Sequence, residues 1–214
     1  MSSSDQIPAS SNDDSFGHHN KLHFNSEAKK YDIDPLALTI SKKCGEAIIK
    51  ELRSELDPEK TEVMDFACGT GLISQALSPY VKSIIGVDSS QNMVDEYNKK
   101  IWQQGIDASE MKAICLDLKE SEGDQLDGRK FDLVVVDPET IGHFNRLGDK
   151  HKHVEHTVAH KGGFYHNEIE EVFLNTGVLD DVKVELSFTF NQFIEKDQKE
   201  CTFKYLIAKG RKKE

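Results

Sequence analysis

The chain has 214 residues, 37% of them hydrophobic and 30% charged, enough to bury one sizeable core and too polar for a membrane protein. Its net charge of -11 works against long-range attraction to a phosphate backbone, so nucleic acid is disfavoured and a small-molecule or protein partner is expected. The four cysteines, Cys44, Cys68, Cys115 and Cys201, have neither zinc-site nor disulfide spacing, which fits reduced thiols in the cytoplasm, with the nucleus as a second setting.

Residues 1–20 are rich in Ser, Asp and Asn and carry neither a basic start nor an apolar stretch, so they read as a disordered tail ahead of a single domain over 21–214. Lys21 to Asp32 forms a short helix in this reading, and Pro35 at a first turn opens a second helix running to about Leu56. From Glu62 the pattern becomes strand, Gly-rich turn and helix: Val63 to Ala67, Cys68-Gly69-Thr70-Gly71, then Leu72 to Leu77. A second such unit follows, with a strand Ser83 to Val87, Asp88 at its carboxyl end, and a helix from about Gln91 to Gln104 capped by Ser89 or Ser90. Met111 to Leu116 is a third strand and Phe131 to Val136 a fourth, the latter an apolar run suited to burial on both faces. A helix His166 to Asn175 closes at Gly177. Strands Val182 to Phe190 and Thr202 to Ala208, parted by the polar turn Glu195 to Lys199, should pair antiparallel. The alternation predicts an α/β, Rossmann-like, doubly wound and mostly parallel sheet with an antiparallel C-terminal hairpin.

In the turn Asp65-Phe66-Ala67-Cys68-Gly69-Thr70-Gly71 the glycines let backbone pass close to a ligand. The third glycine of a dinucleotide fingerprint is replaced by Ser74, which favours a cofactor without a pyrophosphate over a nicotinamide. Asp88 at the end of the next strand suits the two hydroxyls of a ribose. Asp117 suits an exocyclic amine, with Met93, Leu116 and Leu118 as apolar faces for an adenine ring.

The run VMDFACGTGLISQAL resembles the first motif of class I S-adenosylmethionine-dependent methyltransferases, and IIGVDSSQNMV resembles their second. The resemblance, which covers Phe24 to Phe131, implies S-adenosyl-L-methionine as cofactor. It implies that Asp65, Ala67, Gly69 and Gly71 line the methionine moiety, that Asp88 with Ser89 holds the ribose, and that Met93, Asp117 and Leu118 flank the adenine. HFNSEAKKYD is similar to the amino-terminal lid of small-molecule members, which makes Phe24 and Tyr31 candidates to close over the sulfonium. Members of the family usually have seven strands. Nothing between Pro138 and Gly163 has the apolar run of a buried strand, so six are expected here. The run Val134 to Asp137 reads either as the family's fourth strand or as its fifth joined by a deletion. Asp137-Pro138-Glu139-Thr140 lacks the second proline and the aromatic residue of the amino-group methyltransferase motif, so it reads as a strand-ending loop.

His151, His153, His156 and His160 lie in HKHVEHTVAH, with His153, His156 and His160 on one face if the segment is helical. The spacing admits a metal, a pocket lining or a solvated face. No bound metal is expected, and His156 and His160 are the candidates for a catalytic base. The function expected is methyl transfer to a small-molecule or protein acceptor; the alternative is a non-catalytic module that binds the same cofactor.

Overall fold

The computed structural model describes residues 15–117, 126–136, 166–194 and 199–213. Helix α1 spans Ser15–Tyr31. It starts before the expected Lys21, so residues 15–20 of the anticipated tail are helical; residues 1–14 lie outside the described residues. Helix α2 spans Pro35–Leu52, short of the expected Leu56. Asp34 caps it from an extended backbone, accepting the Leu36 N–H at 2.9 Å, and Pro35 occupies a first-turn position where no N–H is needed. Its buried face carries Ala37, Ile40, Ser41 and Cys44.

Four strands, β1 (Glu62–Phe66), β2 (Ser83–Asp88), β3 (Met111–Cys115) and β4 (Leu133–Val136), form a parallel sheet in the order β3-β2-β1-β4. Ile84, Ile85, Gly86 and Val87 of the inner strand β2 are all buried, whereas β1 alternates. A strand covered on both faces has no solvated side, hence the unbroken apolar run. Register pairs Phe66 with both Val87 and Val136, and Asp88 with Cys115, so the carboxyl ends of the strands share one edge. Helix α3 (Leu72–Leu77) and a short 3-10 turn return the chain to β2, and α4 (Gln91–Gln103) returns it to β3. Ser90, the later of the two cap candidates, caps α4 by accepting the Met93 N–H at 3.3 Å. The core includes Val63, Leu77, Ile84, Tyr97 and Met111, each at most 2% exposed. Burying a side chain of this size contributes roughly 1.5–3 kcal/mol.

β4 pairs with β1 directly, which decides between the two sequence readings of the Val134 run in favour of a fourth strand. Among the described residues no further strand pairs with it. Helix α5 (His166–Asn175) leads through Gly177, at φ +69°, into β5 (Leu179–Ile194) and β6 (Lys199–Lys212). These form an antiparallel hairpin that is a sheet of its own, with register shifts at Asp180/Lys183 and Leu186/Phe188. The hairpin is tied to the body by side chains. Val184 and Tyr205 are buried, Phe188 stacks on Tyr205 at 4.5 Å, and Lys183 and Lys209 converge on Glu51 of α2 at 3.6 and 2.7 Å. Among the described residues there are thus four parallel strands and two antiparallel ones, the expected class, while the segment 138–163, in which no strand was expected, lies outside the described residues.

Candidate functional site

The turn after β1 and the turn after β2 are locked to each other by one carboxylate. Asp88 Oδ2 accepts the Gly69 N–H at 2.9 Å and Oδ1 accepts the Ser90 N–H at 2.8 Å. The carboxylate keeps acceptor capacity for a further donor, and the side chain lines a cleft at the carboxyl edge of the sheet. Burial pushes the Asp88 carboxyl above its ordinary range, while the N–H groups of Ser90 and Gly69 oppose that rise.

The two glycines of the first turn have different physical reasons. Gly69, at φ +52°, has nothing within 4 Å of where a Cβ would stand, so its open side belongs to the cleft. Gly71, at φ +84°, would put a Cβ 2.4 Å from the Tyr97 ring. Its role is to let α4 pack against the turn, and it is not among the residues that bound the cleft. Asp65 departs from expectation in the same way. It is 1% exposed and accepts the Ser74 hydroxyl at 2.5 Å, behind the turn rather than at the cleft wall. Its other oxygen has no hydrogen-bond partner among the described residues. Burial raises its carboxyl to about 7 against the pull of the Ser74 hydroxyl, and the neighbouring Asp88 charge adds to the rise. Ser74, read from sequence only as an absent glycine, is this carboxyl's partner.

Of the other expected residues, Phe24 and Tyr31 line the cleft from α1, and Ala67, Ser89, Met93 and Asp117 line it from the strand ends and α4. Ala67 sits at φ +57°, a left-handed backbone that costs a residue with a side chain of order 1–2 kcal/mol. Leu118, His156 and His160 lie outside the described residues. Lys21 and Ser41 also line the cleft and were not anticipated; neither stands in a recognisable motif. Among the described residues no group of His, Cys, Asp and Glu is arranged to hold a metal, and no helix is long and apolar enough to cross a membrane.

These groups fit a nucleoside cofactor: a two-oxygen acceptor beside a backbone turn with open space, and the buried Met93 with Leu116 as apolar surface. The fold and cleft therefore define a Rossmann-like domain built around such a ligand. Residues 63–162 match a family described as a methyltransferase domain, so this part of the chain is similar to the S-adenosylmethionine-dependent methyltransferases. An uncharacterized methyltransferase of Schizosaccharomyces pombe is 37% identical over 150 residues, covering 55% of this chain and 51% of that protein. An uncharacterized RNA methyltransferase of Chlamydia trachomatis is 34% identical over 104 residues, 48% of this chain and 25% of that protein. The chain thus spans about half the length of the first and a quarter of the second. The crystal structure of magnesium protoporphyrin IX methyltransferase from Synechocystis with bound SAH superposes with a TM-score of 0.61 at 15% identity, over 93% of this chain and 100% of that one. The RNA enzyme among these relatives runs against the expectation that nucleic acid is disfavoured. Net charge describes the whole surface, whereas binding depends on one face.

Proposed function

We propose that this chain binds S-adenosylmethionine in the cleft and catalyses transfer of its methyl group to a nucleophilic atom of a small-molecule or protein acceptor. The observation that carries the reading is Asp88, oriented by the Gly69 and Ser90 N–H groups so that its remaining acceptor capacity faces the cleft and suits a ribose diol. Gly69 leaves room for the amino-acid portion, Met93, Leu116 and Leu118 flank the adenine, and Asp117 accepts from its exocyclic amine. Phe24 and Tyr31 exclude water from the reacting end. The bound cofactor supplies an electrophilic methyl on a sulfonium. The protein's part is positioning the acceptor in line and keeping water out, with His156 or His160 holding a proton where the acceptor must lose one. The absence of paired cysteine spacing supports a cytoplasmic or nuclear setting. The relative in Chlamydia trachomatis favours RNA as a second acceptor class.

S-adenosylhomocysteine titrated calorimetrically into the protein should bind and raise its melting temperature, because a ligand selective for the folded state stabilises it by mass action. Asp88→Ala should weaken that binding by about 1.5–3 kcal/mol, the range for hydrogen bonds to a charged group. No heat and no thermal shift at millimolar ligand would sink the reading. Incubation with labelled cofactor and separate protein, small-molecule and RNA fractions then assigns the acceptor.

A further inference from the structure

Helix α1 supplies Lys21, Phe24 and Tyr31 to the cleft, yet it belongs to no strand-helix unit of the sheet. Two polar side chains fasten it. Asn25 Oδ1 accepts the Ser90 hydroxyl at 2.7 Å and the Asn92 N–H at 3.1 Å, and the Asn25 carbonyl accepts the Asn92 side-chain amide at 2.9 Å. Just past the helix end, Asp32 Oδ1 accepts the Thr70 hydroxyl at 2.5 Å, and Oδ2 lies 2.8 Å from the Lys100 ammonium. Asn25 directly follows Phe24 and Asp32 directly follows Tyr31. The fastened partners also adjoin cleft residues: Thr70 stands next to Gly69, and Ser90 next to Ser89 while capping the helix that carries Met93.

We propose that Asn25 and Asp32 are positioning residues that hold α1 across the cleft, so that Phe24 and Tyr31 are placed over the ligand by the same two turns that grip it. The two fastenings lie seven positions apart, one within α1 and one just past its end, each next in sequence to an aromatic that lines the cleft, so neither can shift without moving the aromatic beside it. The Asp32–Lys100 pair is half-shielded, with side chains 27% and 18% exposed, and a charge-assisted contact there holds better than one in open solvent. The consequence for binding is kinetic. A ligand passes in or out only when both fastenings part, so loosening them speeds release and does not slow entry.

This inference rests on the cleft being the S-adenosylmethionine site, and the test separates the two. Stopped-flow release of S-adenosylhomocysteine should be about tenfold faster from Asn25→Ala and Asp32→Ala, with association no slower than in the parent. Asp32→Asn keeps an acceptor for Thr70 but loses the charge facing Lys100, so it should fall between; it carries the test should Asp32→Ala fail to fold. Thr39→Ala removes a hydrogen bond within α2 from Thr39 Oγ1 to the Pro35 carbonyl at 2.7 Å and serves as the control with parent release. Limited trypsinolysis supplies a readout without ligand, since Lys29 and Lys30 are exposed: cleavage there should be faster in the Asn25 and Asp32 variants. Release within twofold of the parent in these variants, or an equal change in Thr39→Ala, overturns the proposal. If the parent binds no S-adenosylhomocysteine, the functional reading fails, and the protease rates alone decide: faster cleavage upholds the fastening, unchanged cleavage overturns it.

Discussion

Asp65 is a carboxyl held where a charge is costly. It is fully buried, bonded through one oxygen to Ser74, and raised to about 7, so the folded chain keeps its proton through a range where the unfolded chain, near pH 4, has lost it. More protons on the folded than on the unfolded state means that stability falls as pH rises. The contribution is whole below about pH 4, declines up to about pH 7 and is flat beyond. Melting temperatures of the ligand-free protein across that window should therefore decline, and less steeply in Asp65→Asn. A residual slope is expected because Asp88 is raised in the same direction. An identical slope in the variant would remove Asp65 as the cause. The glycines give a second residue-level contrast. Gly71→Ala forces a side chain into the Tyr97 ring and should destabilise the fold by about 2 kcal/mol or more. Gly69→Ala meets no atom, so its cost is the backbone conformation alone, about 1–2 kcal/mol, while ligand affinity falls sharply. Urea midpoints set beside calorimetric affinities would show whether the two effects separate in this way.

Among the elements, the hairpin of β5 and β6 is bound to the body by side chains, with no strand pairing between hairpin and body among the described residues. Tyr205 is 5% exposed, with Phe188 stacked on it and Lys43 5.7 Å from the Phe188 ring centre. Tyr205→Ala should cost about 3 kcal/mol in urea unfolding and leave S-adenosylhomocysteine affinity unchanged, because Tyr205 does not bound the cleft. A loss confined to ligand binding would contradict that assignment. The elements readable from sequence were those with local signals. The glycine turn, the strand-end carboxylate and the apolar run of β2 each declare themselves within a few residues. The hairpin ran well beyond its apolar stretches, since backbone pairing continues through polar positions such as Asp180 and Arg211. Asn25 and Asp32 could not be read at all: their partners stand 65 and 38 positions away, and nothing about an isolated Asn or Asp in a polar helix announces such a contact. Asp65 and Gly71 were legible as a motif but not in their roles, because only packing shows which atoms face Tyr97 and Ser74 rather than the cleft.

For the molecule as a whole, the described cleft residues all lie between Lys21 and Asp117, whereas the core is completed by Val135 of β4 and Tyr205 of β6. Domains are made from the amino end, at a pace slow against local folding. On the ribosome, every described cleft residue emerges before β4 does, and β1 then still lacks the neighbour with which Val63 to Phe66 will pair. Translation therefore delivers the ligand-contacting half first and the half that seals the hydrophobic interior last, so a nascent chain that has emerged only as far as Asp117 would hold the recognition chemistry on a sheet not yet closed at one side.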